Sequence, residues 1–126
     1  MRAIFTKQAP SAIGPYSQAI KANNLLFVSG QLPVDPITGN LVEPNVIIQV
    51  SQVLKNISAI LEAEELTLEH VIKTTIFVND MEHFNLINEE YGKYFTKHQP
   101  ARATVEVSRL PKDALVEIEV IATYEI

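Results

Sequence analysis

Two strand-like segments near the C-terminus carry the residues best suited to chemistry. Over Leu115 to Tyr124 the side chains alternate: Val116, Ile118, Val120 and Ala122 take one face, Glu117 and Glu119 the other. Over Arg102 to Val107, Ala103, Val105 and Val107 are apolar, while Arg102, Thr104 and Glu106 share the opposite face. If these strands pair antiparallel with their apolar faces matched, Arg102, Thr104, Glu117 and Glu119 become neighbours on one sheet surface. A guanidinium near two carboxylates is either a salt-bridge cluster or a site for a small anion. Charged strand faces ordinarily just meet water, which favours the first.

The other candidates are more isolated. Ser29-Gly30-Gln31 ends a strand in a loop, where small residues let backbone amides approach a ligand, although most such turns merely turn. Tyr16 follows Gly14-Pro15 and reads equally as a packing anchor or a ligand contact. Asn88 stands one position from the packing face of a helix and needs a partner if buried. His70, His83 and His98 have no ligand spacing and no cysteine to join them, so they read as surface or helix-end residues and no metal is expected. No G-x-S-x-G, P-loop or dinucleotide fingerprint is present.

Composition bounds the rest. At 126 residues, 47% of them apolar, the chain reads as a single domain over 1–126 with one real core. The absence of cysteine removes disulfides, thiol nucleophiles and Cys-ligated metals. No signal-like h-region or membrane-length apolar run appears, which points to a soluble, cytoplasmic protein with no membrane partner. A formal charge of −5 argues against nucleic acid as the partner.

The elements that must position these residues follow from periodicity. Ala3 to Thr6 reads as a first strand, and Gln18 to Ala22 with Leu25 to Ser29 as a hairpin around Asn23-Asn24. Gly30 to Pro44, with three prolines and Gly39, is an irregular excursion. Asn45 caps a helix whose stripe is Val46, Val50, Val53, Leu54, Ile57, Ile60 and Leu61. Val71 to Val78 is a β-branched strand, and a second helix runs from about Met81 to Phe95 behind an Asn79/Glu82 capping box. Two helices cannot cover both faces of about six strands, so an α+β sandwich with one covered face is the economical arrangement. The bare face then needs another subunit, or the excursion folded across it.

Taken together, Gly14-Pro15-Tyr16-Ser17-Gln18-Ala19-Ile20, Ser29-Gly30-Gln31, Asn88-x-x-Tyr91, Pro100-Ala101-Arg102 and Leu110-Pro111-Lys112 followed by Val116-Glu117-Ile118-Glu119 are distinctive. With these motifs in order from about Gln8 to Ala122, the chain resembles the RidA (YjgF, endoribonuclease L-PSP) family. The resemblance implies a chorismate-mutase-like fold with a mixed sheet and a homotrimer with ligand clefts between subunits. It also implies cofactor-free hydrolysis of 2-aminoacrylate-type enamines and imines, released by PLP-dependent dehydratases, to 2-keto acids and ammonia.

On that resemblance Arg102 holds the substrate carboxylate and Glu117 positions or activates the attacking water. Tyr16 borders the cleft from a neighbouring subunit, Ser29 and Gly30 form its wall, Asn88 orders the site, and Thr104 lines it where many members carry Cys. Glu119 supports the sheet surface. The stretch Thr96-Lys97-His98-Gln99-Pro100 is shorter than in common members, and Glu64-Glu65-Leu66 stands where members often have Gly. The family also holds members described as regulators or ribonucleases. A non-catalytic trimer that binds keto acids is therefore the second reading, and an endoribonuclease or translation inhibitor the third.

Overall fold

The computed structural model describes residues 1–125. Strand β1 (Arg2–Ile4) pairs antiparallel with β2 (Ala19–Ala22), and β2 with β3 (Leu25–Gln31). Asn23 turns the β2–β3 hairpin at φ 54°, a left-handed conformation that Asn tolerates better than most residues. Helix α1 (Val46–Glu62) starts where expected, because the Asn45 side-chain oxygen accepts the amides of Ile47 and Ile48. Its apolar stripe is buried throughout.

Strand β4 (Val71–Val78) has the predicted bounds. The next helix begins one residue later than the proposed capping box. The Asn79 amide still donates to the Leu115 carbonyl and belongs to the sheet, so Asp80 takes over as cap and accepts the Glu82 amide. A 3₁₀ turn over Met81–His83 leads into α2 (Phe84–Tyr94).

Strands β5 (Ala101–Glu106) and β6 (Val116–Thr123) complete, among the described residues, a six-stranded mixed sheet of order β1-β2-β3-β6-β4-β5. The expected antiparallel pairing of β5 with β6 does not occur. Strand β4 lies between them, parallel to β5 and antiparallel to β6. The reason is α2: a helix crossing over between two strands returns the chain to the end where the first strand began, so β5 runs parallel to β4.

This reverses the faces assigned to β5. Arg102, Thr104 and Glu106 align with Thr74, Ile76 and Val78, whose side chains are buried on the helix side. Ala103 and Val105 align with Thr75 and Phe77 on the other side, and Val105 is 42% exposed.

Helix α1 packs on β3, β6 and α2, so the helices cover one face of the sheet. The excursion reaches the other face only around Glu117, where Leu32, Pro36 and Gly39 line a cavity with it. Buried Asn56 of α1 donates to the carbonyls of Leu32 (3.1 Å) and Val34 (2.9 Å), pinning the excursion against the helix. Phe27 remains 43% exposed on the bare face. Among the described residues no helix is long and apolar enough to cross a membrane.

Candidate functional site

The predicted residues gather into two clusters on opposite faces of the sheet. The first sits at the β5 edge. Arg102, in register with Thr74, extends to the helix side, where its guanidinium carbon lies 5.7 Å from the Phe84 ring centre and 5.1 Å from that of Tyr91. These are cation–π distances. Phe84, Asn88 and Tyr91 share one face of α2 by their i, i+4, i+7 spacing. Asn88 Oδ1 is buried without a hydrogen-bond partner among the described residues, so the need for a partner foreseen for this residue is real. Thr104 follows two residues along from Arg102 on the same side, in register with Ile76. Glu106 accepts the Met81 amide at 2.8 Å and so holds the start of the helical segment to β5.

The second cluster lies at the β3–β6 junction. Glu117 aligns with Phe77, on the face away from Arg102. The predicted Arg102–Thr104–Glu117–Glu119 surface is thus split, with Arg102 and Thr104 on one side of the sheet and Glu117 and Glu119 on the other. The register of β3 against β6 slips between Val28 and Gln31, and Ser29 and Gly30 occupy the irregularity. There the Glu117 carboxylate lies across Gly30 so closely that a Cβ at that glycine would fall 2.1 Å from Glu117 Oε2. Burial pushes the Glu117 carboxyl above the ordinary carboxylate value, and the charge of Glu119 adds to the rise.

A cavity of 580 Å³ opens at this junction, lined among others by Tyr16, Gly30, Gln31, Leu32, Lys112 and Glu117. Tyr16, 52% exposed, stands at its rim. The Ser29 hydroxyl donates to the Ser17 carbonyl at 2.6 Å and its amide to the Gln18 carbonyl at 2.9 Å. Both bonds fasten the segment bearing Tyr16 to β3.

Sequence reasoning missed two contributors. Gln18 is 2% exposed and ties down the N-terminal wall of the cavity. Its Oε1 accepts the Thr6 amide at 2.7 Å, and its Nε2 donates to the carbonyls of Thr6 at 3.0 Å and Pro10 at 2.8 Å. A polar residue directly before an apolar strand was the available signal. Lys112 was noticed only as part of a motif, yet it and Glu117 are the charged residues lining the cavity. Lys112 and Asp113 both adopt left-handed backbone, at φ 59° and 58°, a conformation that ordinary side chains resist. The Arg109–Asp113 ion pair at 2.6 Å braces that turn.

The histidines have local roles. His70 Nδ1 accepts the Thr67 amide, and His98 Nε2 lies 2.6 Å from the Val71 carbonyl.

This arrangement recurs in known proteins. The endoribonuclease L-PSP family matches residues 6–124. A RutC family protein from Pyrococcus horikoshii is 57% identical over 97% of each chain. The chloroplastic Reactive Intermediate Deaminase A of Arabidopsis thaliana is 51% identical over 95% of this chain and 64% of its own. The crystal structure of Escherichia coli TdcF with bound serine superposes with a TM-score of 0.93 at 42% identity, covering 98% of both chains. With a family match over residues 6–124, identities of about half over nearly the whole length and a matching fold, the chain belongs to the Rid family, also described as endoribonuclease L-PSP.

Proposed function

We propose that this protein hydrolyses reactive enamines and imines of the 2-aminoacrylate type to 2-keto acids and ammonia, without a cofactor. The observation that carries the reading is that a chain half identical to a named reactive intermediate deaminase holds both a solvent-open Arg102 and a desolvated Glu117. Arg102 takes the substrate carboxylate through two charge-assisted hydrogen bonds. Glu117, with its raised proton affinity, accepts a proton from water as the water oxygen attacks the imine carbon. That proton passes to the nitrogen to give a carbinolamine; the proton of its hydroxyl then follows to the nitrogen through the same carboxylate as the C–N bond breaks, so that ammonia leaves and the water oxygen becomes the keto oxygen. Tyr16 and Gly30 wall the cleft, and Asn88 and Thr104 shape the arginine side. Holding water and substrate together provides the acceleration, since the imine is already electrophilic.

Arg102 and Glu117 lie on opposite faces of one protomer, so the reading requires that a cleft combine Arg102 of one copy with Glu117 of another. The bare sheet face with exposed Phe27 and Val105 supports such an assembly, which we take to be a homotrimer. The serine bound to TdcF favours a second reading, a small-molecule-binding regulator that performs no reaction.

A coupled assay separates the two. A serine or threonine dehydratase generates the enamine in situ, and keto-acid appearance is followed with and without this protein. The deaminase reading expects a rate increase that Arg102→Ala removes. No increase over background, with several amino-acid precursors and a confirmed oligomer, leaves the binding reading in its place.

A further inference from the structure

Arg102 has an unusual anchorage for a binding-site arginine. Among the described residues it forms no salt bridge. It stands instead over two rings, 5.7 Å from the centre of Phe84 and 5.1 Å from that of Tyr91. The Tyr91 ring is itself held in place. Its residue is only 7% exposed, its hydroxyl is 2.8 Å from the hydroxyl of buried Thr74, and the Phe95 ring lies behind it at 4.6 Å.

We infer that Phe84 and Tyr91 are positioning residues for Arg102, an aromatic platform that steadies the guanidinium without consuming its hydrogen-bond donors. The chemistry favours rings over a carboxylate here. A carboxylate partner would occupy the planar N–H fork that a substrate carboxylate must use. A ring attracts the same cation through its π face and leaves those N–H groups unspent. Strand β5 is also the sheet edge, so no further strand flanks Arg102 to restrain a long, flexible side chain. Thr74, in register with Arg102 on β4, links the two: the residue beside the arginine in the sheet clamps the ring beneath its guanidinium.

This inference rests on the proposal that Arg102 holds a carboxylate, and the experiment separates the two. The first readout needs no ligand: the ¹Hε and ¹⁵Nε resonances of Arg102 and the order parameter of that N–H bond. In the native protein the signal is shifted by ring currents and the bond is ordered. Phe84→Leu and Tyr91→Leu should each move the signal towards the position of a free arginine and lower its order, and Tyr91→Phe, which keeps the ring but loses the Thr74 clamp, should keep most of the shift and lower the order less. The second readout is the deaminase assay, in which the Leu variants raise KM about five- to thirtyfold while kcat stays within about twofold, and Tyr91→Phe, which keeps the ring, raises KM less than Tyr91→Leu. Because Tyr91 is buried, Phe84→Leu is the variant of record if Tyr91→Leu fails to fold.

An Arg102 signal that stays ordered and at its native position in folded Phe84→Leu overturns the platform whatever the enzymology shows. A loosened signal in a protein without deaminase activity keeps the platform and removes the reaction. Unchanged KM in a loosened variant overturns its role in binding.

Discussion

On the helix side of β5 the Arg102 guanidinium lies over two aromatic rings and remains open to water; on the other face Glu117 is half-buried against Gly30 beside a like charge. The two environments suit two tasks. An anion-binding group must keep its donors free and meet its ligand in solution, and π contacts allow that where a salt bridge would not. A base must hold a proton more tightly than a free carboxylate does, and desolvation without a balancing cation achieves that. On the proposed reading, one protomer carries both halves of the hydrolytic site, facing apart. A site that needs both is completed by a second copy.

The most direct way to break this comparison is complementation. Arg102→Ala should lower kcat/KM by about 10³-fold, the scale for losing one partner of a hydrogen-bonded charge pair. Glu117→Gln should lower kcat by about 10²-fold, the scale for a general base. Unfolded together and refolded, the two inactive variants should regain about a quarter of native activity, because random mixing builds that share of clefts with both native residues. If the mixture stays inactive while forming mixed oligomers, the two halves do not work across copies.

A smaller effect tests the Glu117 side alone. Gly30→Ala puts a Cβ where the Glu117 carboxylate now lies and forces it aside. Activity should fall about tenfold with the substrate KM little changed, a displacement effect on the reacting geometry. Native kcat in this variant would show that the close approach to Gly30 is not what aims the carboxylate.

Stability offers a third test, with a definite sign. The Glu117 carboxyl is raised above its ordinary value of 4.5, so ionising it disfavours the folded state. Glu117→Gln, which mimics the protonated acid, should therefore raise Tm at pH 7. That gain should shrink as pH falls through the raised pKa and vanish below the ordinary one, where folded and unfolded chains are both protonated. A gain independent of pH would place the effect in packing rather than charge. The smallest effect concerns neither cluster: Asn45→Ala should remove about 1 kcal/mol by uncapping α1 and leave kcat unchanged, which thermal denaturation and the deaminase assay check together.

Much of the local structure was legible in the residues. The Asn23 turn, the Asn45 cap, the apolar stripe of α1 and the bounds of β4 all depend on side chains within a few positions of one another. Periodicity and capping act at that range. Of the residues expected at a site, Arg102, Asn88 and Thr104 fall in one cluster, and Glu117, Tyr16, Ser29 and Gly30 fall at or beside the other.

Their grouping was not legible. Neighbouring segments with matching alternation suggested a β5–β6 hairpin, and the apolar Ala103 and Val105 suggested the core side. The succession of strand, helix and strand from Val71 to Glu106 held the contrary signal, for such a unit makes parallel neighbours. The buried apolar residues of α2, Ile87 and Tyr91, draw that helix over the sheet and carry β5 to the far side of β4. Sequence by itself determined which segments became helix or strand, where they turn, and which side chains could do chemistry, because those properties are set by neighbours along the chain. Only the tertiary structure decided that Arg102 meets Phe84 and Tyr91 while Glu117 meets Gly30, because strand order and the facing of an edge strand follow from packing between distant segments.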